Sequence, residues 1–258
     1  MKKEKGGAAM PVMDEFKAER ETIKQKSTKE KISYFFDYYK WHTVAVVVIL
    51  AAVISLIVHL VNLKDRALYV CLLNATAFDQ TDNYIQHFEE YAGIDQSEYE
   101  AIFDTSMSIE IGGRDTVTAT SFQKMAVYTA AGDLDVIITN PEIIEYYVGQ
   151  GLFYDLRQLL SPEQIALYEP YFFYVDQVVL NAIQDANDRD ETYDAVFSDP
   201  RQPEAMTDPI PVGIVLDDCQ RLKESVLFGD EELVLSVIIN SSNIETALKF
   251  IDFVMQEP

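Results

Sequence analysis

Residues 43–61, TVAVVVILAAVISLIVHLV, form one apolar run with no formally charged side chain. At 1.5 Å per residue, roughly 20 helical residues cross a ~30 Å hydrocarbon core. The run therefore predicts a transmembrane helix, placed at 42–63, between a short N-terminal part and a long C-terminal one. The stretch starts too late and runs too long for a cleaved signal peptide, and no small-x-small site follows it. Leu68, Tyr69 and Val70 precede Cys71, which is not the small-residue setting of a lipoprotein cysteine. The span is expected to stay as an anchor.

Charge orients it. Lys24, Lys26, Lys29, Lys31 and Lys40 precede the span, and only Lys64 and Arg66 follow it closely. The positive-inside rule puts the N-terminus in the cytoplasm and the C-terminal domain outside the cell membrane. Tyr38, Tyr39 and Trp41 suit an inner interfacial belt. His59 reads as an interfacial residue at the far end. Residues 1–26 read as a basic, disordered cytoplasmic segment, with Gly6-Gly7-Ala8-Ala9 inside it. Residues 27–41 read as a juxtamembrane amphipathic helix. Ser27-x-x-Glu30 has the capping-box spacing, and Ile32, Phe35, Phe36 and Tyr39 share one face. Such a face lies on an anionic leaflet or docks a membrane protein partner.

The formal net charge is −23, and it is uneven. Residues 1–63 carry 10 basic against 7 acidic side chains, and residues 64–258 carry 10 against 36. An outer domain this acidic repels nucleic acid, which is excluded as a partner. Its acids read chiefly as a solvated face, with a cationic ligand or Ca²⁺ as the sharper alternative. Two cysteines, Cys71 and Cys219, make no disulfide framework. A single bond between them and two buried free thiols both remain open.

From residue 67 to 258 the pattern is that of an extracytoplasmic α/β domain. Leu68 to Leu73 reads as a buried strand, 79–93 as a helix stopped by Gly93, and 99–103 as a second strand. A helix over 116–131 is stopped by Gly132. The apolar run Val136-Ile137-Ile138 predicts a strand buried on both faces, as in a parallel sheet. A helix over 141–148 follows, and Ser161-Pro162-Glu163 opens another, with proline at its first position. Residues 185–209 read as loop, with a strand at 193–197. Strands are expected at 210–216 and 233–239. Ser242-x-x-Glu245 is expected to box the start of a last helix at 243–255. Alternating strands and helices make an α/β sandwich.

The segment Gly132-Asp133-Leu134-Asp135-Val136-Ile137-Ile138, a short helix, then Gly151-Leu152-Phe153-Tyr154-Asp155-Leu156 resembles extracellular solute-binding proteins of bacterial ABC importers. Asn240-Ser241-Ser242-Asn243 and the helix after it are similar to that family's C-terminal ending. The resemblance implies a periplasmic-binding-protein-like (type II-like) α/β outer domain after one transmembrane helix, in a shortened form whose length allows only a reduced pair of lobes. It implies capture or sensing of a small solute at the cell surface. Typical members are lipoproteins or secreted, and most have two full lobes. The anchored layout is similar to membrane proteins of Gram-positive bacteria. The alternative is a non-catalytic envelope interaction module that has lost its ligand.

Signals for catalysis are lacking. No Walker loop, GxGxxG, HExxH or CxxC occurs, and the histidines are His42, His59 and His87. Residues 185–191 have Arg189 where a Ca²⁺ loop needs a ligand and lack its glycine. Neither enzyme activity, metal nor cofactor is expected. A ligand of an open α/β sheet sits beyond the C-terminal ends of its strands. That rule nominates Asn74 and Thr76, Ser106 and Ser108, and Thr139 and Asn140. Each also has a plain reading as a loop or cap residue, Asn140 before Pro141 above all. Tyr171, Phe172, Phe173 and Tyr174 read chiefly as core residues, with a cleft lining as the alternative. The expected partners are the lipid bilayer, a small solute and a membrane protein.

Overall fold

The computed structural model of the chain describes residues 27–61, 63–191, 193, 195–217, 219–229 and 232–256. They fall into two units, one up to Leu63 and one from Lys64 onward. The first is a continuous helix, α1 (Thr28–Val61). Its segment Lys40–Val58, 19 residues of mean hydropathy 2.6, is long and apolar enough to cross a membrane. Trp41 in α1 is exposed. The expected disordered segment 1–26 and the side chains of Ile32, Phe35, Phe36, Tyr39 and His59 lie outside the described residues.

The second unit is built on β1 (Asp65–Leu72), whose alternate side chains enter opposite cores. Leu68, Val70 and Leu72 face one core, and Tyr69, Cys71 and Leu73 the other. A strand buried on both faces needs helices on both, because each apolar face must leave water. α2 (Thr81–Ala92) and α8 (Ile244–Met255) supply the first, with Phe88 and Phe250 at its centre. α3 (Thr116–Ala131) and α4 (Pro141–Val148) supply the second, through Met125, Ile143, Ile144 and Tyr147. Gly93 and Gly132 end α2 and α3 at φ +69° and +70°, the left-handed conformation that glycine adopts without a Cβ clash.

β3 (Tyr99–Asp104) and β4 (Val136–Thr139) flank β1, both parallel to it. Beyond β4 the sheet changes direction. β8 (Val234–Val237) is antiparallel to β4, β6 (Pro209–Val215) to β8, and β5 (Phe172–Asp176) to β6. The order is β3-β1-β4-β8-β6-β5, a mixed sheet. Burial on both faces of β4 is as expected; a wholly parallel sheet is not. A short pair, β2 (Thr76–Ala77) with β7 (Val226–Leu227), stands apart. α7 (Gln220–Ser225) leads into β7.

Local signals hold at most helix starts. Asn140 accepts from the Ile143 N–H and Pro141 takes the first position of α4. Ser161 and Gln164 form a full capping box on α5 (Pro162–Tyr168). The box expected at Ser242 does not form. Ser242 Oγ donates to the Gly132 carbonyl instead, and Asn243, the residue before α8, turns its amide onto Asp135. A buried carboxylate at that corner outcompetes the local cap.

Two further departures matter for the site. Phe172–Asp176 is an edge strand where none was expected, although the burial of Phe172 and Phe173 in opposite cores agrees with their reading as core residues. Residues 185–188, expected as loop, complete α6 (Gln177–Asp188), capped by Asp176 accepting from the Val178 N–H. No strand occurs at the described residues of 193–197. Cys71 and Cys219 are both buried and free.

Candidate functional site

The register of the parallel strands gathers the nominated residues at one end of the sheet. Leu72 pairs with Ile138 and Cys71 with Asp104, so Asn74, Ser106, Thr139 and Asn140 follow on neighbouring strand ends. Their side chains are largely engaged with the chain itself. Asn74, at φ +58°, donates to the Ile109 carbonyl at 2.9 Å. Its Oδ1 accepts from Ile109 N–H at 2.9 Å and Ser108 Oγ at 2.8 Å. One carboxamide thus pins the loop after β3. Asn140 caps α4. Thr76 is exposed in β2.

Ser106 belongs to a charged cluster that sequence reading missed. Lys124 Nζ donates to Ser106 Oγ and to Asp104 Oδ2, each at 2.6 Å, and Tyr69 Oη donates to the same carboxylate. Burial opposes ionisation of Asp104, but the bonds from Lys124, Ser106 and Tyr69 prevail and hold its carboxyl down to about 2. Burial, then the bond to Asp104, pushes the Tyr69 hydroxyl up. Burial also raises the Cys71 thiol. The only sequence trace of this cluster is a lone lysine on an otherwise uncharged helix.

The sign of the acid response follows. A carboxyl held at about 2, against an ordinary 3.8, stabilises the fold above about pH 4. That contribution, about 2 kcal/mol, is lost as pH falls toward 2. Wild type should exceed Asp104→Asn in stability at pH 6. The gap should close between pH 4 and pH 2 in acid titrations followed by circular dichroism.

Thr139 is different. Its hydroxyl is buried with no hydrogen-bond partner among the described residues. Burying a hydroxyl unpaired costs stability, and valine has nearly its shape. Thr139→Val should stabilise the protein by about 1 kcal/mol in urea unfolding. A loss instead would reveal a partner for the hydroxyl.

None of the six nominated residues lines the described cavities. Those open beside α6, where the chain turns at Gly149–Gly151 after α4. Gly149 packs against Ile183 of α6, and a Cβ there would make ordinary contact with Ile183 Cδ1 at 3.5 Å. On one side of α6 is a cleft of about 450 Å³, with Gln158, Gln177, Gln184 and Asn187 at its rim and Ile210 and Val212 behind. On the other side is a cavity of about 390 Å³, with Glu142, Glu145 and Tyr146 among its walls. Gly149, Gln150 and Asn187 border both. The sequence signal for the cleft was the Gly149-Gln150-Gly151 turn, but the opposite wall, α6, was not expected to exist in full. Among the described residues no group of three or more His, Cys, Asp or Glu is placed to hold a metal.

No family model matches the chain, and no curated protein matches it. Three solved structures are similar in part. One is the ABC substrate-binding protein Lmo0181 from Listeria monocytogenes, in complex with cycloalternan. It is 14% identical with a TM-score of 0.24, over 50% of this chain and 34% of that one. The chain thus spans about a third of that protein's length. The periplasmic binding protein P5PA is 15% identical, TM-score 0.32, over 75% of this chain and 80% of its own. The binding protein AttC of Agrobacterium tumefaciens C58, in an open unliganded conformation, is 12% identical. Its TM-score is 0.31, over 76% of this chain and 80% of its own. At such scores the α/β assignment rests on the mixed sheet itself.

Proposed function

We propose that this chain is a membrane-anchored solute-binding protein. α1 tethers it with the N-terminus in the cytoplasm, and the outer unit captures or senses a small polar solute at the cell surface. The observation that carries the reading is the 450 Å³ cleft beside α6, which falls in the volume range of small-molecule sites. Carboxamides are the commonest polar groups lining it, beside Asp155 and Asp188, and each offers donors and an acceptor without a charge. Gln158, Gln184 and Asn187 make no side-chain hydrogen bond with another described residue, and Gln177 donates to Asn181 at 3.0 Å. A neutral ligand rich in hydroxyls or amides fits that chemistry. The strand-end residues Asn74, Ser106, Ser108 and Asn140 then act by fixing the loops and α4.

The test is a thermal-shift screen of the full chain in detergent against sugars, amino acids, peptides and nucleosides. A ligand at about 100 times its Kd stabilises by ~2.7 kcal/mol, several degrees for a unit of this size. The shift should disappear in Gln184→Ala, an exposed position whose change leaves the fold intact. A cooperative melt with no shift across the panel would defeat the solute reading.

One observation favours a second reading, an interaction module of the cell envelope. The exposed face of α3 presents Val117, Ala119, Thr120, Gln123, Ala126 and Val127 without a charge, on a unit rich in acids. An uncharged helix face suits a protein partner. A photo-crosslinker at Val127 should then capture one membrane protein in cells, and capture of none would remove this reading.

A further inference from the structure

The 390 Å³ cavity between α4 and α6 combines carboxylates with aromatic rings and an apolar floor. Glu142 and Glu145 lie three residues apart on α4 and so on one face. Tyr146 stands beside them, its ring held by edge contact with Tyr147 at 5.1 Å and by Phe122 at 5.4 Å. Phe197 and Ile183 also line the cavity. Among the described residues no Lys or Arg lines it. Neither glutamate forms an ion pair among the described residues, although six basic residues of this unit pair with acids elsewhere. Glu142 gains from the N-terminal turn of α4, but Glu145 sits a turn further in. Burial, then the like charge of Glu142, raises the Glu145 carboxyl.

A half-buried carboxylate, Glu145, beside the exposed Glu142, with no described cation facing them, invites one. The walls decide which kind. A hard ion such as Ca²⁺ needs six or more oxygens and would lose hydration against Phe197 and Ile183. An alkylammonium is weakly hydrated, and its methyl groups pack on ring faces while its charge meets the ring quadrupole and the carboxylates.

We propose that this cavity binds an organic ammonium ion, with Tyr146 and Phe197 packing its alkyl groups and Glu142 and Glu145 supplying the counter-charge. The site uses residues that the carboxamide cleft does not, so it stands or falls separately from the solute reading.

The experiment is calorimetric titration of the full chain in nonionic detergent with tetramethylammonium, and in parallel with uncharged neopentyl alcohol. Saturable binding of tetramethylammonium is expected, at least about tenfold tighter than the alcohol, with Gln184→Ala unaffected. Glu145→Gln keeps the side-chain shape and should weaken binding about tenfold. Phe197→Leu, outside any helix, should weaken it too and carries the test if the first variant fails to fold. Absence of saturable binding, equal binding of the alcohol, or undiminished binding in folded variants would overturn the proposal.

Discussion

Phe88→Ala should cost about 3–5 kcal/mol, the range for removing a large aromatic from a packed core. Phe88 is fully buried on α2. Its ring centroid lies 5.1 Å from Phe250 in an edge-to-face contact, 5.5 Å from Phe253 and 6.3 Å from Phe103. One side chain thus joins α2 to α8 and to the edge strand β3. Phe103 and Phe250 meet edge-on at 5.3 Å, so the cluster closes on itself and has little room to collapse into a void. Urea unfolding of the full chain in detergent, followed by far-ultraviolet circular dichroism, reads the loss. A shift below about 1 kcal/mol would mean that the helices relax into the cavity or that the cluster is loosely packed.

Asp135→Ala should cost on the order of 3 kcal/mol, since it removes bonds to a buried carboxylate and strands their donors. Asp135 is fully buried at the entry to β4. Its Oδ2 accepts from the Tyr69 N–H at 2.8 Å and from Asn243 Nδ2 at 3.1 Å. Its Oδ1 accepts from Ser241 Oγ at 2.6 Å. The residue therefore joins β1, β4 and the approach to α8, three segments far apart in sequence. Asp135→Asn keeps an acceptor and should lose less. Equal losses in the two variants would show that charge, rather than the acceptor count, holds the corner.

Asp135 shows what the resemblance motif around Gly132 does in this chain. Gly132 closes α3, Asp133 pairs with Arg66, Asp135 holds the corner, and Val136 to Ile138 form β4. Every member has a folding task, so the motif marks architecture. None of residues 132–138 lines the described cavities, whereas Gly151, Phe153, Tyr154 and Asp155 of the motif's second half border the cleft.

The division between sequence and structure follows the range of the forces. The apolar helix window is set by composition alone. The bounds of α3 and α4, the proline start of α5 and the glycine stops are set by contacts within four residues, and all were legible in the chain. Which strand lies beside which depends on pairings up to about a hundred residues apart, governed by the whole core. So the antiparallel half of the sheet was not legible, nor was the edge strand β5. Side-chain chemistry shows the same split. Asn140 beside proline announces a cap locally, whereas Asn74 could be a ligand residue or a loop pin until Ile109 is placed against it. The cleft needed α6 opposite the Gly149–Gly151 turn, and the ammonium cavity needed Phe197 across from Glu145. The residue types at these sites are written in the sequence, but only tertiary packing brought them face to face.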